Sequence, residues 1–238
     1  MAPMPNQPLL RILSHRGYWR VPQEKNTPEA FLRSFQGGFG TETDVRDLDG
    51  TLVIAHDIPT HTALTEGTIL TLEAFLALYS SCCHAQGLAY QSLPLALNIK
   101  ADGLQPLLQK TLETYHIPKD AYFLFDMSIP DALVSLRYAL PCYTRMSEYE
   151  TPPLAFFEQA QGVWLDAFHS TWYTPETHIL PLLEAGKQVC IVSPELHQRA
   201  HLPLWESLHQ LCKPLSSVQR GCLLLCTDLP EEAQAFFV

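Results

Sequence analysis

Leu95-Ala96-Leu97-Asn98-Ile99-Lys100, followed by a helical stretch from Leu104 to Tyr115, is the unit on which the fold reading turns. A short apolar run that ends on polar residues reads as a strand buried on both faces. The helix after it would carry the chain back to start a parallel neighbour. Toward the C-terminus the unit recurs. Strands are expected at Tyr122 to Phe125, near Cys142 to Met146, and at Val163 to Phe168, Val189 to Val192 and Leu223 to Cys226. Helices are expected over Pro130 to Tyr138, Pro153 to Gln159, Pro175 to Glu184, Leu204 to Leu211 and Pro230 to Phe237.

Toward the N-terminus the pattern holds. A helix runs from about Leu70 to His84, and a strand from Thr41 to Leu48 returns as a hairpin with Leu52 to Ala55 across Asp49-Gly50. Thr27 is an N-cap and Pro28 suits the first helical position, while Ala30, Phe31 and Phe35 supply the apolar stripe and Gly37-Gly38 the stop. An apolar run from Leu10 ends at His15. Strand and helix alternate about eight times with no break in composition. That count predicts one α/β domain over residues 1–238, a (β/α)8 TIM barrel, with a doubly wound open sheet as the alternative. A barrel demands that polar residues at the C-terminal strand ends converge on one mouth. His15, Glu42, Asp44 and His56 stand at or near such ends, and so do Asn98, Lys100, Arg145 and Asp166.

Composition narrows the partners. An apolar fraction of 47% with 17% charged residues describes an ordinary globular chain with a sizeable core. The net charge of −10 argues against a nucleic-acid partner, although a small phosphate-bearing substrate would meet local cations rather than the whole surface. Seven cysteines, an odd number scattered through apolar segments, read as reduced thiols of a cytosolic protein. Cys82-Cys83 has the wrong spacing for a zinc knuckle. Met1 to Pro8 has neither a charged nor an apolar signal region, and no apolar run reaches the roughly 20 residues that cross a bilayer. The expectation is therefore a cytoplasmic chain without stable membrane insertion, its oligomeric state left open.

Side chains alternate faces along a strand, so Glu42 and Asp44 point the same way. Two neighbouring carboxylates in a sheet interior repel each other and are expensive to bury. A divalent cation between them answers this, and oxygen ligands suit magnesium, calcium or manganese. Asn98 and Lys100 repeat the period-two arrangement, so the Asn98 carbonyl could complete the cation site. Arg16 and Lys100 supply fixed positive charge for a phosphate and for the charge of its transition state. His15 and His56 are candidates for general base and general acid. Together these residue types point to phosphodiester cleavage. A sugar-cleaving carboxylate pair fits less well, because both carboxylates would stand on one side of the substrate.

The runs Ser14-His15-Arg16-Gly17, Glu24-Lys25-Asn26-Thr27-Pro28-Glu29-Ala30-Phe31, Gly40-Thr41-Glu42-Thr43-Asp44-Val45 and Asp49 to Asp57 resemble the glycerophosphodiester phosphodiesterase family. Thr227-Asp228-Leu229-Pro230 is similar to that family's last strand and turn. The resemblance implies a TIM barrel that hydrolyses glycerophosphodiesters to glycerol phosphate and an alcohol with a divalent cation. It further implies that His15 and His56 are the acid/base pair, Arg16 binds phosphate, Glu42 and Asp44 hold the metal, and Lys100 is the third-strand lysine. In such enzymes the neighbouring glycerol hydroxyl attacks phosphorus first, and water then opens the cyclic phosphate. Where the family carries a third acidic ligand this chain has Asn98, which predicts a more weakly held cation. A phospholipase C/D-like enzyme acting on a phospholipid headgroup and a catalytically impaired phosphodiester-binding barrel are the alternatives.

Other residues carry lesser expectations. Asn26 would orient the loop after His15, Trp164 and Asp166 share a face that would line the mouth as substrate contacts with Arg145 or else serve packing, and Arg145 and Glu148 would form an ion pair over the mouth or a solvated edge. Trp19, Trp172 and Tyr173 could flank a lipid or glycerol moiety but read more readily as packing anchors, and His197, His201 and His209 read as surface residues.

Overall fold

Ten strands form one sheet in a computed structural model that describes residues 9–238. They are β1 (Arg11–His15), β2 (Gly40–Leu48), β3 (Thr51–Ile54), β4 (Leu70–Thr71), β5 (Leu95–Ile99), β6 (Tyr122–Phe125), β7 (Tyr143–Met146), β8 (Gly162–Leu165), β9 (Gln188–Val192) and β10 (Leu223–Thr227). All but β3 and β4 run parallel, in the cyclic order β1, β2, β5, β6, β7, β8, β9, β10. The ring closes between β10 and β1, where Arg11 to Ser14 pair with Leu224 to Thr227. Its weakest seam is β6–β7, held by a single bridge from Leu124 to Cys142 and the hydrogen bond from Leu124 N to Pro141 O at 2.8 Å. Pro141 has no N–H to extend that ladder. β3 and β4 extend β2 as an antiparallel flap across Asp49 and Gly50, both at positive φ as the tight hairpin turn requires.

Helices cover the ring. α1 (Pro28–Gln36) starts where expected, with the Ala30 N–H donating to the Thr27 hydroxyl. α2 (Leu72–Gln86), α3 (Gln105–Thr114) and α4 (Ile129–Arg137) follow β4, β5 and β6. After β7 the expected helix over Pro153 to Gln159 is absent and turns take its place. Pro152 and Pro153 remove two N–H donors in succession, and Pro153 keeps Pro152 out of the α region. Leu154, Phe156 and Phe157 of this segment still pack against the core, so burial is kept without the helix. The helix expected at Pro175 begins as a π-helical turn, Pro175–Ile179, before α5 (Leu180–Glu184). α6 (Leu202–Cys212) and α8 (Pro230–Phe236) match expectation, whereas the short α7 (Ser217–Gly221) has no apolar period that would announce it.

Period-two alternation divides the core. Outward residues such as Leu95, Leu97 and Leu124 pack under one group of helices, and Val163, Ile191 and Leu225 under the other. Inward residues Leu13, Ala96, Phe123, Tyr143, Trp164 and Cys190 fill the barrel, so the interior is packed solid rather than open. Phe123 stacks on Tyr143 at 3.7 Å between ring centroids, and Phe125 on Trp164 at 3.8 Å. At the closed bottom the Tyr143 hydroxyl and Arg11 both donate to Gln188 Oε1, which satisfies a phenol buried at the base of the barrel. Chemistry is therefore confined to the opposite end. No helix among the described residues is long and apolar enough to cross a membrane.

Candidate active site

Five polar residues of the mouth stand two positions beyond a side chain of the packed interior. His15 follows Leu13, Asn98 follows Ala96, Arg145 follows Tyr143, Asp166 follows Trp164 and Asp228 follows Cys226. The pleat that buries the first of each pair turns the second inward and upward. Glu42 and Asp44 share the inward face of β2 and are both buried. The turn after β1 needs Gly17 at φ +84°, where a Cβ would lie 2.8 Å from that of Ala30. This turn presses the Arg16 loop onto the start of α1, and Arg16 N donates to Glu42 O at 3.0 Å.

A cavity of about 210 Å³ opens at this mouth. Four of the expected residues line its first side, His15, Arg16, Glu42 and Asn98, and Arg145, Trp164 and Asp166 line the other. Asp44 and Lys100 do not line it but hold residues that do. Arg16 Nε lies 3.0 Å from Asp44 Oδ2, and Lys100 Nζ lies 3.4 Å from Asp44 Oδ1 and 3.8 Å from Asp126 Oδ2. Asn26 accepts from the Thr43 hydroxyl and donates to Asp44 Oδ2, so it aims the carboxylate as the loop-orienting reading expects. His15 Nε2 faces Glu42 Oε2 at 3.9 Å. Burial pushes the Glu42 carboxyl up to about 7, with the Asp44 charge adding to the shift and His15, Arg16 and Lys100 opposing it.

Three buried oxygens here have no hydrogen-bond donor, Glu42 Oε2, Asp44 Oδ1 and Asn98 Oδ1, although the Lys100 ammonium 3.4 Å away offsets the charge at Asp44 Oδ1. Orphaned buried acceptors are rare, since each forfeits about 1–3 kcal/mol of solvation. Hard oxygens with free lone pairs on adjacent strands fit a hard divalent cation, with the Asn98 amide as the third donor. No group of three His, Cys, Asp or Glu side chains among the described residues could hold a metal, so the set depends on that amide.

His56 stands apart. It follows β3, its side chain is 46% exposed, its Nδ1 donates to Asp57 Oδ1 at 2.8 Å, and it is outside the cavity lining. Arg46 donates to the His56 carbonyl and to that of Lys100, which ties the flap to the end of β5. The expected Arg145–Glu148 pair does not form. Arg145 instead bonds Asp126 and Glu150 at 2.5 Å each, bridging the β6–β7 seam, and these carboxylates hold its guanidinium charge against the opposing effect of burial. Glu148 accepts from the N–H groups of Phe168, His169 and Ser170. Trp172 donates to the Asp166 carbonyl and Tyr173 is buried, as packing anchors would be, while Trp19 lies under the Lys25 ammonium.

Two functional candidates escaped the sequence reading. Asp228 accepts from His15 Nδ1 at 2.7 Å, fixing the ring so that Nε2 faces the cavity. Burial raises the Asp228 carboxyl, but the hydrogen bond and charge of His15 outweigh this and leave it below the usual range. His197 is no surface residue: it lines the cavity and its Nε2 lies 2.7 Å from Asp166 Oδ1. His201 and His209 are likewise half-buried, against Trp205 and Phe236 respectively. Asp228→Asn is expected to lower kcat by about 10- to 100-fold through misorientation of His15, with KM little changed. Steady-state kinetics check this, and an unchanged kcat would make the contact merely structural.

No protein-family model matches the chain, and no curated protein does. Solved structures do match. The chain is similar to a Galdieria sulphuraria protein assigned as a glycerophosphodiester phosphodiesterase, at 20% identity and a TM-score of 0.68 over 96% of this chain and 97% of that one. It is similar to the glycerophosphodiester phosphodiesterase of Agrobacterium tumefaciens at 16% identity and a TM-score of 0.62, over 95% and 99%. An Oleispira antarctica phosphodiesterase solved with its product sn-glycerol-3-phosphate matches at 20% and 0.63, over 95% and 96%. The fold is thus the TIM barrel of glycerophosphodiester phosphodiesterases.

Proposed function

We propose that this protein is a divalent-cation-dependent phosphodiesterase that hydrolyses glycerophosphodiesters to glycerol phosphate and an alcohol. One observation carries the reading: buried oxygens of Glu42 and Asn98 that have no hydrogen-bond donor line one cavity with His15 and Arg16, and Asp44, ion-paired with Arg16 and Lys100, adjoins them. That combination supplies negative charge for a metal and positive charge for a phosphate within a single pocket.

Glu42, Asp44 and Asn98 would hold magnesium, calcium or manganese. A bound cation would polarise the phosphoryl group and acidify the attacking hydroxyl. Arg16, already lining the cavity, neutralises a phosphate oxygen, and Lys100 adds charge from behind Asp44. His15 Nε2, held inward by Asp228, takes the proton of the glycerol hydroxyl as it attacks phosphorus. The bond from phosphorus to the departing alcohol breaks and that oxygen takes a proton from solvent; water then opens the cyclic ester, losing a proton to solvent, and His15 returns its proton to the glycerol oxygen. His56, the other member of the expected acid/base pair, follows β3 with its Nδ1 against Asp57 Oδ1. A small phosphodiester fits the cavity volume, the charge of −10 disfavours nucleic acid, and seven free cysteines suit the reducing cytoplasm.

The test is 31P NMR of glycerophosphocholine and glycerophosphoethanolamine incubated with the protein and magnesium, calcium or manganese. Glycerol phosphate is the expected product. Intact diester under all three cations would refute the reading.

A further inference from the structure

Glu195 sits half-buried in the one-turn helix Pro194–His197 that follows β9. Its neighbours Leu196 and His197 line the cavity, and Glu195 itself does not. Its carboxylate nonetheless collects three donors. Oε1 accepts from the Thr227 hydroxyl at 2.5 Å and from Asp228 N at 3.2 Å, and Oε2 accepts from the Ser193 hydroxyl at 2.5 Å. Ser193 Oγ in turn accepts from the Trp205 indole N–H at 2.8 Å. Ser193, Thr227 and Trp205 are fully buried. All three donors to Glu195 are neutral. The carboxylate thus uses its lone pairs to fix geometry rather than to neutralise a cation, through charge-assisted bonds about twice as strong as neutral ones.

The place of these bonds explains their use. β9 and β10 end side by side, with Cys226 paired to Val192 and Ser193 N donating to Cys226 O at 2.9 Å. The ladder from β10 to β1 ends at Thr227. Asp228 is the first residue beyond the sheet, and its backbone N–H goes to Glu195. The next N–H, that of Leu229, goes to the Thr227 hydroxyl at 3.0 Å, and Glu195 holds that hydroxyl. Two successive backbone N–H groups past β10 therefore depend on one carboxylate. Asp228 is also the residue whose Oδ1 lies 2.7 Å from His15 Nδ1. An aspartate has a single methylene between backbone and carboxyl, so a fixed backbone leaves that carboxyl only its few rotamers.

We propose that Glu195 is a positioning residue for His15, acting through Asp228; this rests on the phosphodiesterase reading and deepens it. By holding Asp228 N directly and Leu229 N through Thr227, Glu195 keeps the Asp228 carboxylate on His15 Nδ1. The proton of the neutral ring then stays on Nδ1, and Nε2 faces the cavity with its lone pair free, the form a base needs. Without Glu195 the backbone of Asp228 loses its anchor. The ring then reverts toward the tautomer a free imidazole prefers, with the proton on Nε2, where it cannot accept one from a substrate. Glu195 itself touches neither substrate nor reacting atoms.

The test combines kinetics on glycerophosphocholine with 15N NMR of the neutral His15 imidazole, assigned by its loss in His15→Gln. Glu195→Ala is expected to lower kcat by about 10- to 100-fold with KM little changed, and to move the ring proton from Nδ1 toward Nε2. Glu195→Gln, whose Oε1 can still accept from Thr227 and Asp228 N, should recover most of the activity and the wild-type tautomer. Glu195→Ala combined with Asp228→Asn should lose no more than the worse single variant, because the two act in series. Should Glu195→Ala not fold, Thr227→Val leaves the carboxylate in place, removes one of its donors, and should show the same tautomer shift to a smaller degree. An unshifted tautomer in Glu195→Ala, or in Thr227→Val where that variant replaces it, would overturn the proposal. So would losses that multiply in the double variant, or a Glu195→Ala kcat within about threefold of an active wild type. A wild type that cleaved no diester while the tautomer still shifted would defeat the phosphodiesterase reading and uphold the positioning of the ring.

Discussion

Replacing His15 with glutamine is expected to lower kcat on a glycerophosphodiester by about 10²–10⁴-fold, with a melting temperature close to that of the wild type. His15 closes β1, is part-buried, and has both ring nitrogens committed: Nδ1 to Asp228 at 2.7 Å and Nε2 toward Glu42 at 3.9 Å. Glutamine is of similar size and can still donate to Asp228, so the cavity survives while the titrating nitrogen is lost. Neither partner of the ring is left buried and unmatched, which is why the loss should fall on turnover rather than on folding. Loss of kcat with little change in KM would mark an interaction made in the transition state. A variant within threefold of wild type would remove His15 from the chemistry.

The second large effect falls on Glu42. Its carboxyl is 2% exposed, and burial with the neighbouring Asp44 charge lifts it to about 7. A folded-state value above the unfolded one makes the protonated form the stabilising form. That stability is fully present below about pH 4.5 and is lost as the pH rises through about 7. Without metal, wild type at pH 8 therefore carries an ionised, poorly compensated carboxylate, which costs about 3 kcal/mol at most. Glu42→Gln carries no such charge at any pH. In the absence of metal the variant should melt above the wild type at pH 8, and the difference should vanish at pH 4.5. Comparing the two proteins cancels the titration of every other carboxylate. Turnover should fall at least about 100-fold, since the variant lacks the anionic ligand that best holds the cation. A variant both less stable at pH 8 and fully active would contradict the assignment.

The strand–helix rhythm made the barrel legible, and period-two alternation made half of the site legible. His15, Glu42, Asp44, Asn98 and Lys100 follow from the parity of β1, β2 and β5, because an inward core residue implies an inward residue two positions on. Asp228 and His197 were not legible in the same way. The Asp228–His15 contact joins residues 213 apart across the β10–β1 closure, and the His197–Asp166 contact joins two loops whose lengths no periodicity fixes. The absent helix after β7 is a different kind of miss: Leu154, Phe156 and Phe157 do bury their side chains, but Pro152 and Pro153 deny the backbone its hydrogen bonds. The Arg145 partner was misread because Asp126 lies on the neighbouring strand end, nearer in space than Glu148.

Everything in the proposed chemistry depends on Glu42, Asp44 and Asn98 binding a cation together. Thermal melting at pH 8 of EDTA-stripped wild type and Glu42→Gln, titrated with manganese, tests this most directly. The account predicts a saturable rise in the wild-type melting temperature, and in the variant a rise that is much smaller or requires at least tenfold more metal. Identical responses in the two proteins, or no response in the wild type, would contradict it.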